Sequence, residues 1–389
     1  MNTIAIIAEY NPFHLGHLKH ISYVKDVLKA KNVVVVMSGN FTQRGEPAVM
    51  DKFTRAKHAC LSGADMVIEL PTVFATANAE IFAKGAVSII EKLGVVDAIC
   101  FGVESGKKED YIKLATALND ESKEFKKALK DQLDKGVSLA KAKFDALKSL
   151  GKEFDETLIS SPNNILGVEY TKALLLAKSN IEICPMIRTG DHNDKRLKRG
   201  ITSATSIREV IKTGKFKKVK KNLPNFTYKD ILPYPFDFDK LIMASVVKTP
   251  HEEMAKILDC TEGLENRIKA LAKDNVSLSK LLEKVVTKRY TLTRINRILI
   301  STLLGIKADL VKECLKDPLY AKVLAISKDR KDLLALVNDN SLIPVLSRKS
   351  DFTQLKKTAE KCFQIDVLAN DLYSLATENR QNENHMLLV

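Results

Sequence analysis

Two histidines near the N-terminus, His14 and His17, are the first side chains along the chain that could act on a phosphate group. They lie three residues apart, so on a helix they project from one face, and their ring N–H groups can donate hydrogen bonds to phosphate oxygens. Gly16 carries no side chain and lets a nucleotide approach the backbone. Pro12 excludes helical geometry at Asn11, so a turn must precede the helix, whose N–H groups then point at the ligand.

Two other interpretations of residues 14–17 are less favoured. The histidines could be incidental to a turn, but their position directly after an apolar, strand-like run argues against this. A metal site would need a third ligand, and none is evident nearby. The segment therefore predicts a nucleotide phosphate site, with no metal ligands.

A second group of polar side chains lies at residues 201–208, with the sequence ITSATSIR. Small hydroxyl residues at a helix start, such as Ser203, followed one turn later by Arg208, form a cradle for an anion. Taken alone, the segment could also be a plain helix cap. Together with the His-x-Gly-His pattern it is the signature of nucleotidylyltransferases that act on the α-phosphate of ATP. We therefore predict four catalytic residues: His14, His17, Ser203 and Arg208.

The composition restricts the class of protein further. The chain has 389 residues, 45% of them hydrophobic and 28% charged, which is typical of a folded globular protein. Its apolar runs are short and its first residues carry no basic segment, so neither a membrane span nor a signal peptide is predicted. The six cysteines include no C-x-x-C pair, which argues against a zinc site and a disulfide framework. We expect a cytoplasmic protein.

The apolar pattern predicts the elements that position the two motifs. Val- and Ile-rich runs alternate with amphipathic stretches, which indicates a parallel sheet covered on both faces. We predict strands at residues 4–8, 33–37, 66–70, 97–101 and 181–184, and helices at 16–30, 51–62 (with Asp51 as N-cap) and 77–93. The predicted fold class is α/β: a Rossmann-like parallel-sheet nucleotidylyltransferase domain at residues 1–221, a Pro-rich and aromatic connector at 222–238, and an all-α domain at 239–389.

The net charge of +14 is concentrated in two segments. Residues 193–221 contain eleven Lys or Arg and two acids, and residues 284–297 contain five Lys or Arg and no acid. Solvated helix faces would also give such runs. Two concentrated basic segments nevertheless favour a polyphosphate or nucleic-acid backbone as the partner.

A set of motifs, in a fixed order over most of the chain, resembles the bacterial tRNA(Met) cytidine acetate ligase family. They are EYNPFHLGH at residues 9–17, MSGNFTQRGEP at 37–47, ELP at 69–71, FGVE at 101–104, NNILGVEY at 163–170, SATSIR at 203–208 and TKRYTLTR at 287–294. The resemblance implies an enzyme that activates acetate with ATP as acetyl-adenylate. That enzyme then acetylates N4 of the wobble cytidine of elongator tRNA(Met) and releases AMP and pyrophosphate.

The resemblance also implies which residues bind each substrate. By matching position the ATP contacts are Ile7, Ala8, Glu9, Tyr10, Asn11, Pro12, Phe13, His14, Leu15, Gly16, His17, Leu18, Lys19, His20, Gly102, Asn163 and Arg188. The helical domain is expected to bind the tRNA through Lys288, Arg289, Arg294 and Arg297. One departure is that family members often continue after Arg188 with a Gly-rich segment, whereas residues 189–194 here read TGDHND.

The predicted chemistry needs no general base in its first step, because acetate is already an anion. It needs charge neutralisation and in-line placement at the α-phosphate, which the four catalytic residues could supply. We expect Mg²⁺ to carry part of the triphosphate charge. Two alternatives stay open: a small-molecule adenylyltransferase of the coenzyme A or NAD pathway type, and a non-catalytic RNA-binding protein. The basic helical extension argues against the first, and the intact motifs argue against the second.

Overall fold

The fold is built around one central sheet. A computed structural model describes residues 1–389 except positions 121, 138, 189–196, 198–199, 232–237, 318, 380 and 384. The strands of the described residues are β1 (Thr3–Ala8), β2 (Asn32–Ser38), β3 (Met66–Leu70), β4 (Ala98–Val103), β5 (Glu182–Ile187), β6 (Ala321–Ile326), β7 (Val345–Leu346) and β8 (Leu387–Leu388). The five strands predicted from the apolar runs are thus confirmed, to within three residues at each end.

The strand order is β5-β4-β1-β2-β3-β6-β7, with β8 also paired to β6. Strands β1 to β5 are mutually parallel, and β6 is antiparallel to β3. The chain proceeds from β1 outward through β2 and β3, then returns to the other side of β1 for β4. The carboxyl ends of β1 and β4 therefore flank a topological switch point, where open α/β sheets bind their ligands.

Helices cover both faces of this sheet. In the first half they are α1 (Leu15–Ser22), α2 (Lys52–Leu61), α3 (Thr72–Ala75), α4 (Ala79–Lys92), α5 (Lys108–Leu118), α6 (Lys123–Leu133), α7 (Leu139–Ser149), α8 (Thr157–Ser160), α9 (Pro162–Leu176) and α10 (Ala204–Lys212). A π-helical turn (Tyr23–Val27) extends α1, and a 3₁₀ segment (Phe216–Asn222) follows α10. The three predicted helices are present, and Asp51 caps α2 by accepting from the backbone N–H of Thr54.

The second half of the chain is mostly helical. Its helices are α11 (Asn225–Lys229), α12 (Phe238–Lys248), α13 (His251–Met254), α14 (Leu264–Asp274), α15 (Leu278–Val285), α16 (Leu292–Leu304), α17 (Ala308–Lys316), α18 (Lys331–Asn340) and α19 (Lys357–Thr377). Two 3₁₀ segments (Lys328–Arg330 and Lys349–Gln354) complete it. None of the helices in the described part of the chain is long and apolar enough to span a bilayer.

Alternate side chains of β1 enter two separate cores. Ala5 and Ile7 pack in the cluster that contains α4 and α9, whereas Ile4 and Ile6 pack in the cluster beneath α1 and α2. Burial on both faces explains why the strands are continuously apolar rather than alternating with polar residues. The α/β class with a parallel sheet is confirmed.

The segment at 239–389 differs in one respect from the expected all-α domain. It contributes β6, β7 and β8 to the same sheet, and Lys322 of β6 lies opposite Glu69 of β3. A buried ion network holds this junction: the Lys52 ammonium lies 2.8 Å from a Glu69 oxygen and 2.7 Å from a Glu383 oxygen, and Lys322 contacts both carboxylates. Strand β6 was missed because its pairing partner lies some 250 residues away. The boundaries at 221 and 239 stay predictions, and most of the connector lies outside the described residues.

Candidate active site

The chain turns sharply between β1 and α1, as Pro12 predicts. Tyr10 has a left-handed backbone conformation, with φ 49°, and the Asn11–Pro12 peptide bond is cis. Helix α1 then begins after His14, which is its N-cap. Because β1 ends at the sheet's carboxyl edge, the N-terminus of α1 lies at the switch point, with its N–H dipoles directed outward.

The hydrogen bonds of His14 and His17 fix which ring nitrogen donates. His14 Nδ1 accepts from the backbone N–H of Gly16 over 3.0 Å, and His17 Nδ1 accepts from the backbone N–H of His14 over 3.3 Å. A nitrogen that accepts carries no proton, so in each neutral ring the proton is on Nε2. The two rings stack with centroids 3.7 Å apart. Both histidines therefore carry on Nε2 the N–H group that can bind a phosphate oxygen, and His14 Nε2 is buried in this structure.

The second motif lies directly against the first. A Cβ on Gly16 would lie 3.7 Å from Ile201 Cγ2, so the chain just before α10 covers this glycine. Ser203 caps α10 by accepting from the backbone N–H of Ser206 over 3.1 Å. Arg208 is buried and donates to the backbone carbonyl of Asn11 over 2.9 Å. Two segments almost 200 residues apart thus bring two helix N-termini to one place.

A cleft opens to solvent beside these motifs. Its lining includes Met186 and Ile201 together with six of the predicted ATP contacts: Gly16, His17, Lys19, His20, Gly102 and Arg188. The Arg188 side chain crosses Gly102 so closely that a Cβ there would lie 2.8 Å from Arg188 Cδ. Burial, assisted by the charge of Arg188, lowers the pKa of His20 to about 4, so this ring is neutral at pH 7.

The wall of this region beyond β4 is a hydrogen-bonded network. Glu104 accepts from Asn163 Nδ2 over 2.5 Å and from the Ser161 hydroxyl over 2.6 Å. The backbone N–H of Glu104 donates to Asn164 Oδ1 over 2.9 Å. Ser161 also caps α9 through the backbone N–H of Asn164. Asn163, a predicted ATP contact, is therefore held in place by a carboxylate that follows Gly102 in the chain.

The remaining predicted ATP contacts lie at the end of β1, in the turn that follows it and on α1. Several are buried and support the loop from below: Ile7, Tyr10, Asn11, Pro12 and Phe13. Others are half-buried or exposed along the turn and α1: Ala8, Glu9, Leu15, Leu18 and Lys19. The segment at 189–194 that departs from the family pattern lies outside the described residues.

Arg55 is an organising residue that the sequence did not reveal. It is fully buried and donates to the backbone carbonyls of Glu9 (2.6 Å), Ser38 (3.0 Å) and Met50 (2.9 Å), and also to that of Gly39. Glu9 and Gly39 directly follow β1 and β2, so one guanidinium holds the two strand ends together. An Arg within an amphipathic helix is usually solvated, so its type and position gave no signal.

The basic segment at 284–297 is partly used within the protein. Arg294 donates to the backbone carbonyl of Asp259 over 2.9 and 3.0 Å, and the largely buried Arg297 reaches the Asp259 carboxylate over 3.3 Å. Arg289 is 64% exposed and pairs with Glu262 over 2.7 Å. Lys288 is exposed. Of the four predicted RNA contacts, only Lys288 and Arg289 present their charge to solvent.

Within the described residues, no group of three or more His, Cys, Asp or Glu side chains could hold a metal ion.

A strand, turn and helix that place two paired histidines at a sheet switch point are typical of a nucleotidyl transferase. Comparison with known families agrees, because the HIGH Nucleotidyl Transferase family model matches residues 1–386 of this chain. Curated relatives place it more narrowly, and the chain belongs to the tRNA(Met) cytidine acetate ligase family. One relative with that name, from Caldanaerobacter subterraneus, is 39% identical and aligns over 97% of this chain and 96% of its own length. Another, from Alkaliphilus metalliredigens, is 38% identical over 97% of this chain and 95% of its own.

Solved structures agree in fold. The apo crystal structure of Thermotoga maritima TmcAL has a TM-score of 0.94 with this chain, at 30% identity and full coverage of both chains. A second crystal structure of that protein, bound with alpha-thio ATP, has a TM-score of 0.91 at 30% identity and the same coverage.

Proposed function

We propose that the protein is an ATP-dependent ligase that acetylates N4 of the wobble cytidine of elongator tRNA(Met). The observation that supports this proposal most is that two helix N-termini and two Nε2–H donors lie together at one switch point. The hydrogen bond from Arg208 to Asn11 holds the two helix N-termini together. The relatives named tRNA(Met) cytidine acetate ligase support the choice of acetate and tRNA(Met) as substrates. We expect the reaction in the cytoplasm, where tRNA is found.

In the first step, an acetate oxygen attacks the α-phosphorus of ATP. The bond to the pyrophosphate oxygen breaks, so acetyl-adenylate forms and pyrophosphate leaves. His14 and His17 donate from Nε2 to the phosphate oxygens, and the N-terminal dipoles of α1 and α10 offset the developing negative charge. Ser203 and Arg208 act by holding the α10 N-terminus against the ATP loop, which is consistent with their bonds inside the protein.

In the second step, the N4 amine of the cytidine attacks the acetyl carbonyl of the adenylate. The carbonyl–oxygen bond to AMP breaks, AMP leaves, and the amine loses one proton as the amide forms. A wobble base lies in a single-stranded loop, so it can be extruded at low cost. Acyl transfer therefore needs the RNA loop to be held beside the cleft.

Exposed lysines next to α10 are the part of the first basic segment best suited to hold RNA. Lys215, Lys217, Lys218, Lys220 and Lys221 are all exposed in and before the 3₁₀ segment. The apolar side of that segment, with Val219, packs with Ile207 of α10 and Met50. This surface therefore adjoins the ATP motifs. Lys288 and Arg289 supply a second exposed cationic site in the helical half.

We propose that Mg²⁺ binds to the site together with ATP. Glu9 is the carboxylate of the ATP motif that could share its coordination, and it already accepts from the backbone N–H of Gln43 over 2.8 Å. When bound, the cation would neutralise part of the triphosphate charge. The described residues supply no larger ligand set, which suits a cation carried in by its nucleotide.

A pyrophosphate-release assay with ATP, acetate and total tRNA tests the proposal. Release with ATP and acetate, followed by transfer of labelled acetyl groups to tRNA, is the expected result. Release with a small phosphorylated acceptor but not with acetate would indicate an adenylyltransferase instead. Binding of tRNA with no turnover under any combination would indicate a non-catalytic RNA-binding protein.

A further inference from the structure

We infer that Glu104 is a positioning residue that sets the nucleotide specificity of the ATP site through the carboxamide of Asn163. The inference rests on the proposed function only in taking Asn163 as a nucleotide contact. Its substance is that Glu104 decides which end of that carboxamide faces the ligand, and so which nucleosides the site accepts.

The hydrogen bonds around Glu104 restrict the orientation of the Asn163 carboxamide. Its two carboxylate oxygens each accept one bond: Oε1 from Asn163 Nδ2 over 2.5 Å, and Oε2 from the Ser161 hydroxyl over 2.6 Å. A carboxylate can only accept, so the amide nitrogen of Asn163, and not its oxygen, must face Glu104. The orientation of the carboxamide is therefore imposed chemically.

The opposite end of the Asn163 carboxamide is its oxygen, Oδ1. Asn163 is half-buried, and among the described residues its Oδ1 has no hydrogen-bond donor. An oxygen held in this way accepts a hydrogen bond and cannot donate one. The ligand group that it recognises must therefore carry an N–H or O–H.

The position of Glu104 in the fold ties this network to the nucleotide cleft. Glu104 follows β4 by one residue and lies two residues after Gly102, which lines the cleft. Its charge acts on Arg188, whose side chain crosses Gly102. The Glu104 carboxylate thus joins the end of β4 to the N-terminus of α9 at the edge of the site.

Two groups of ATP could supply the required donor. One is the 6-amino group of adenine, which hypoxanthine and guanine replace with an acceptor oxygen. The other is a ribose hydroxyl. In either case the site should reject an ATP analogue that lacks the donor, because Asn163 Oδ1 would lose its contact with water and gain no hydrogen-bond partner in return.

Equilibrium binding of ATP, ITP, 2′-deoxy-ATP and 3′-deoxy-ATP to purified variants tests the inference. E104A removes both acceptors and frees the Asn163 carboxamide to rotate. The backbone bond from residue 104 to Asn164 Oδ1 does not involve the altered side chain, so the turn itself keeps a support. E104Q is the conservative variant: its amide oxygen can still accept from Asn163, while its amide nitrogen donates to the Ser161 hydroxyl. E109Q, at an exposed acid five residues on, is the control for the change of charge.

Wild type, E104Q and E109Q are expected to prefer ATP over one analogue class, and E104A is expected to lose about 10-fold of that preference, the effect of one oriented hydrogen bond. A loss confined to ATP over ITP identifies the 6-amino group as the donor. A loss confined to ATP over a deoxy analogue identifies the ribose hydroxyl. Unchanged ratios in E104A, or the same loss in E104Q as in E104A, would overturn the inference.

A second pair of variants retains a full side chain at both positions. N163D places two carboxylates side by side and is expected to weaken ATP binding. In E104Q/N163D the amide nitrogen at position 104 can donate to the carboxylate at position 163, so ATP binding and its selectivity should recover at least partly. Failure of the double variant to improve on N163D would contradict the orientation role.

These measurements separate the inference from the proposed function. Selective ATP binding that depends on Glu104, in a protein that never releases pyrophosphate with acetate, would refute the ligase and leave the inference standing. Normal acetate-dependent turnover with unchanged nucleotide selectivity in E104A would support the ligase and refute the inference about Glu104.

Discussion

Arg208 Nη1 lies 2.9 Å from the backbone oxygen of Asn11, so a side chain of α10 holds the loop that precedes α1. Its Nη2 also donates to Thr205 Oγ1 over 3.2 Å, which fixes the guanidinium within its own helix. The sequence predicts Arg208 as a catalytic residue that binds phosphate, and that role stays a prediction. Its hydrogen bonds in the structure also link the two motifs that form the site.

Replacing Arg208 should therefore impair ATP use more than it impairs stability. Lysine is a single point donor and cannot bridge Asn11 and Thr205 in the way a planar guanidinium does. We expect R208K to lower kcat/KM for acetate-dependent pyrophosphate release by about 10-fold or more, the effect of removing one oriented charged bond. Melting temperature serves as the control. Wild-type kinetics in R208K would show that the hydrogen bonds of the Arg208 guanidinium to Asn11 and Thr205 are dispensable.

His17→Ala should abolish acetate-dependent pyrophosphate release in a folded protein. In the proposed mechanism its Nε2–H is one of two donors to the developing phosphate charge, and loss of one such preorganised donor costs on the order of 10²-fold in kcat. Replacing His251, an exposed histidine of α13, with Ala is the matched control. Near-normal turnover in a folded H17A protein would refute the placement of the phosphates.

The exposed lysines after α10 should bind tRNA without affecting adenylate formation. K217A/K218A is expected to weaken tRNA binding and to reduce its salt dependence by up to about 0.7–0.9 log units for each RNA phosphate that the variant no longer binds. K127A/K130A on α6 makes the same change of charge at two lysines elsewhere on the surface. Equal affinities of the two double variants at two salt concentrations would exclude this surface.

The two arginines of α16 are expected to act differently from their neighbours. Arg294 and Arg297 both anchor the segment around Asp259, so their replacement by Ala should lower the melting temperature and reduce both half-reactions together. K288A/R289A should spare stability and affect tRNA affinity alone. If R294A/R297A instead weakened only tRNA binding, at unchanged melting temperature, those two arginines would have to be RNA contacts.

The buried ion network between β3 and β6 should contribute strongly to stability. Glu383→Ala leaves the Lys52 and Lys322 ammonium groups with Glu69 alone, and removing one partner from a buried ion set costs about 3–5 kcal/mol. Urea unfolding measures the loss, with Asp371→Ala at an exposed site of α19 as the control. A loss under about 1 kcal/mol, the scale of an exposed ion pair, would mean that the last residues of the chain contribute little to this core.

The stabilisation that Glu80 contributes to the folded state should be lost in acid. Burial would by itself raise the pKa of this carboxyl, but Lys84, Lys143 and Lys172 outweigh it and lower the pKa to about 2. A carboxyl with a depressed pKa in the folded state stabilises fully above its unfolded value of about 4.5, and that stabilisation is lost as the pH falls toward 2. The difference in unfolding free energy between wild type and E80Q should therefore be largest above about pH 5 and shrink below about pH 4. A difference independent of pH would contradict this.

Local physical chemistry let the sequence determine much of this protein. Continuous Val and Ile runs specify buried parallel strands, Pro12 specifies the turn before α1, and the Asp51 side chain specifies the start of α2. Each of these features depends on residues within a few positions of one another. The motif at 14–17 likewise predicted a phosphate site from residues that form one turn of helix.

Only the tertiary structure decided which charges face solvent and which are used inside the protein. Arg294, Lys288 and Arg208 look alike in the sequence, yet Arg294 and Arg208 bind distant backbone carbonyls while Lys288 faces solvent. The pairing of β6 with β3 depends in the same way on a contact across some 250 residues. Charge and hydrogen-bonding capacity belong to the residue type, but burial and partner depend on chain segments that local sequence does not specify.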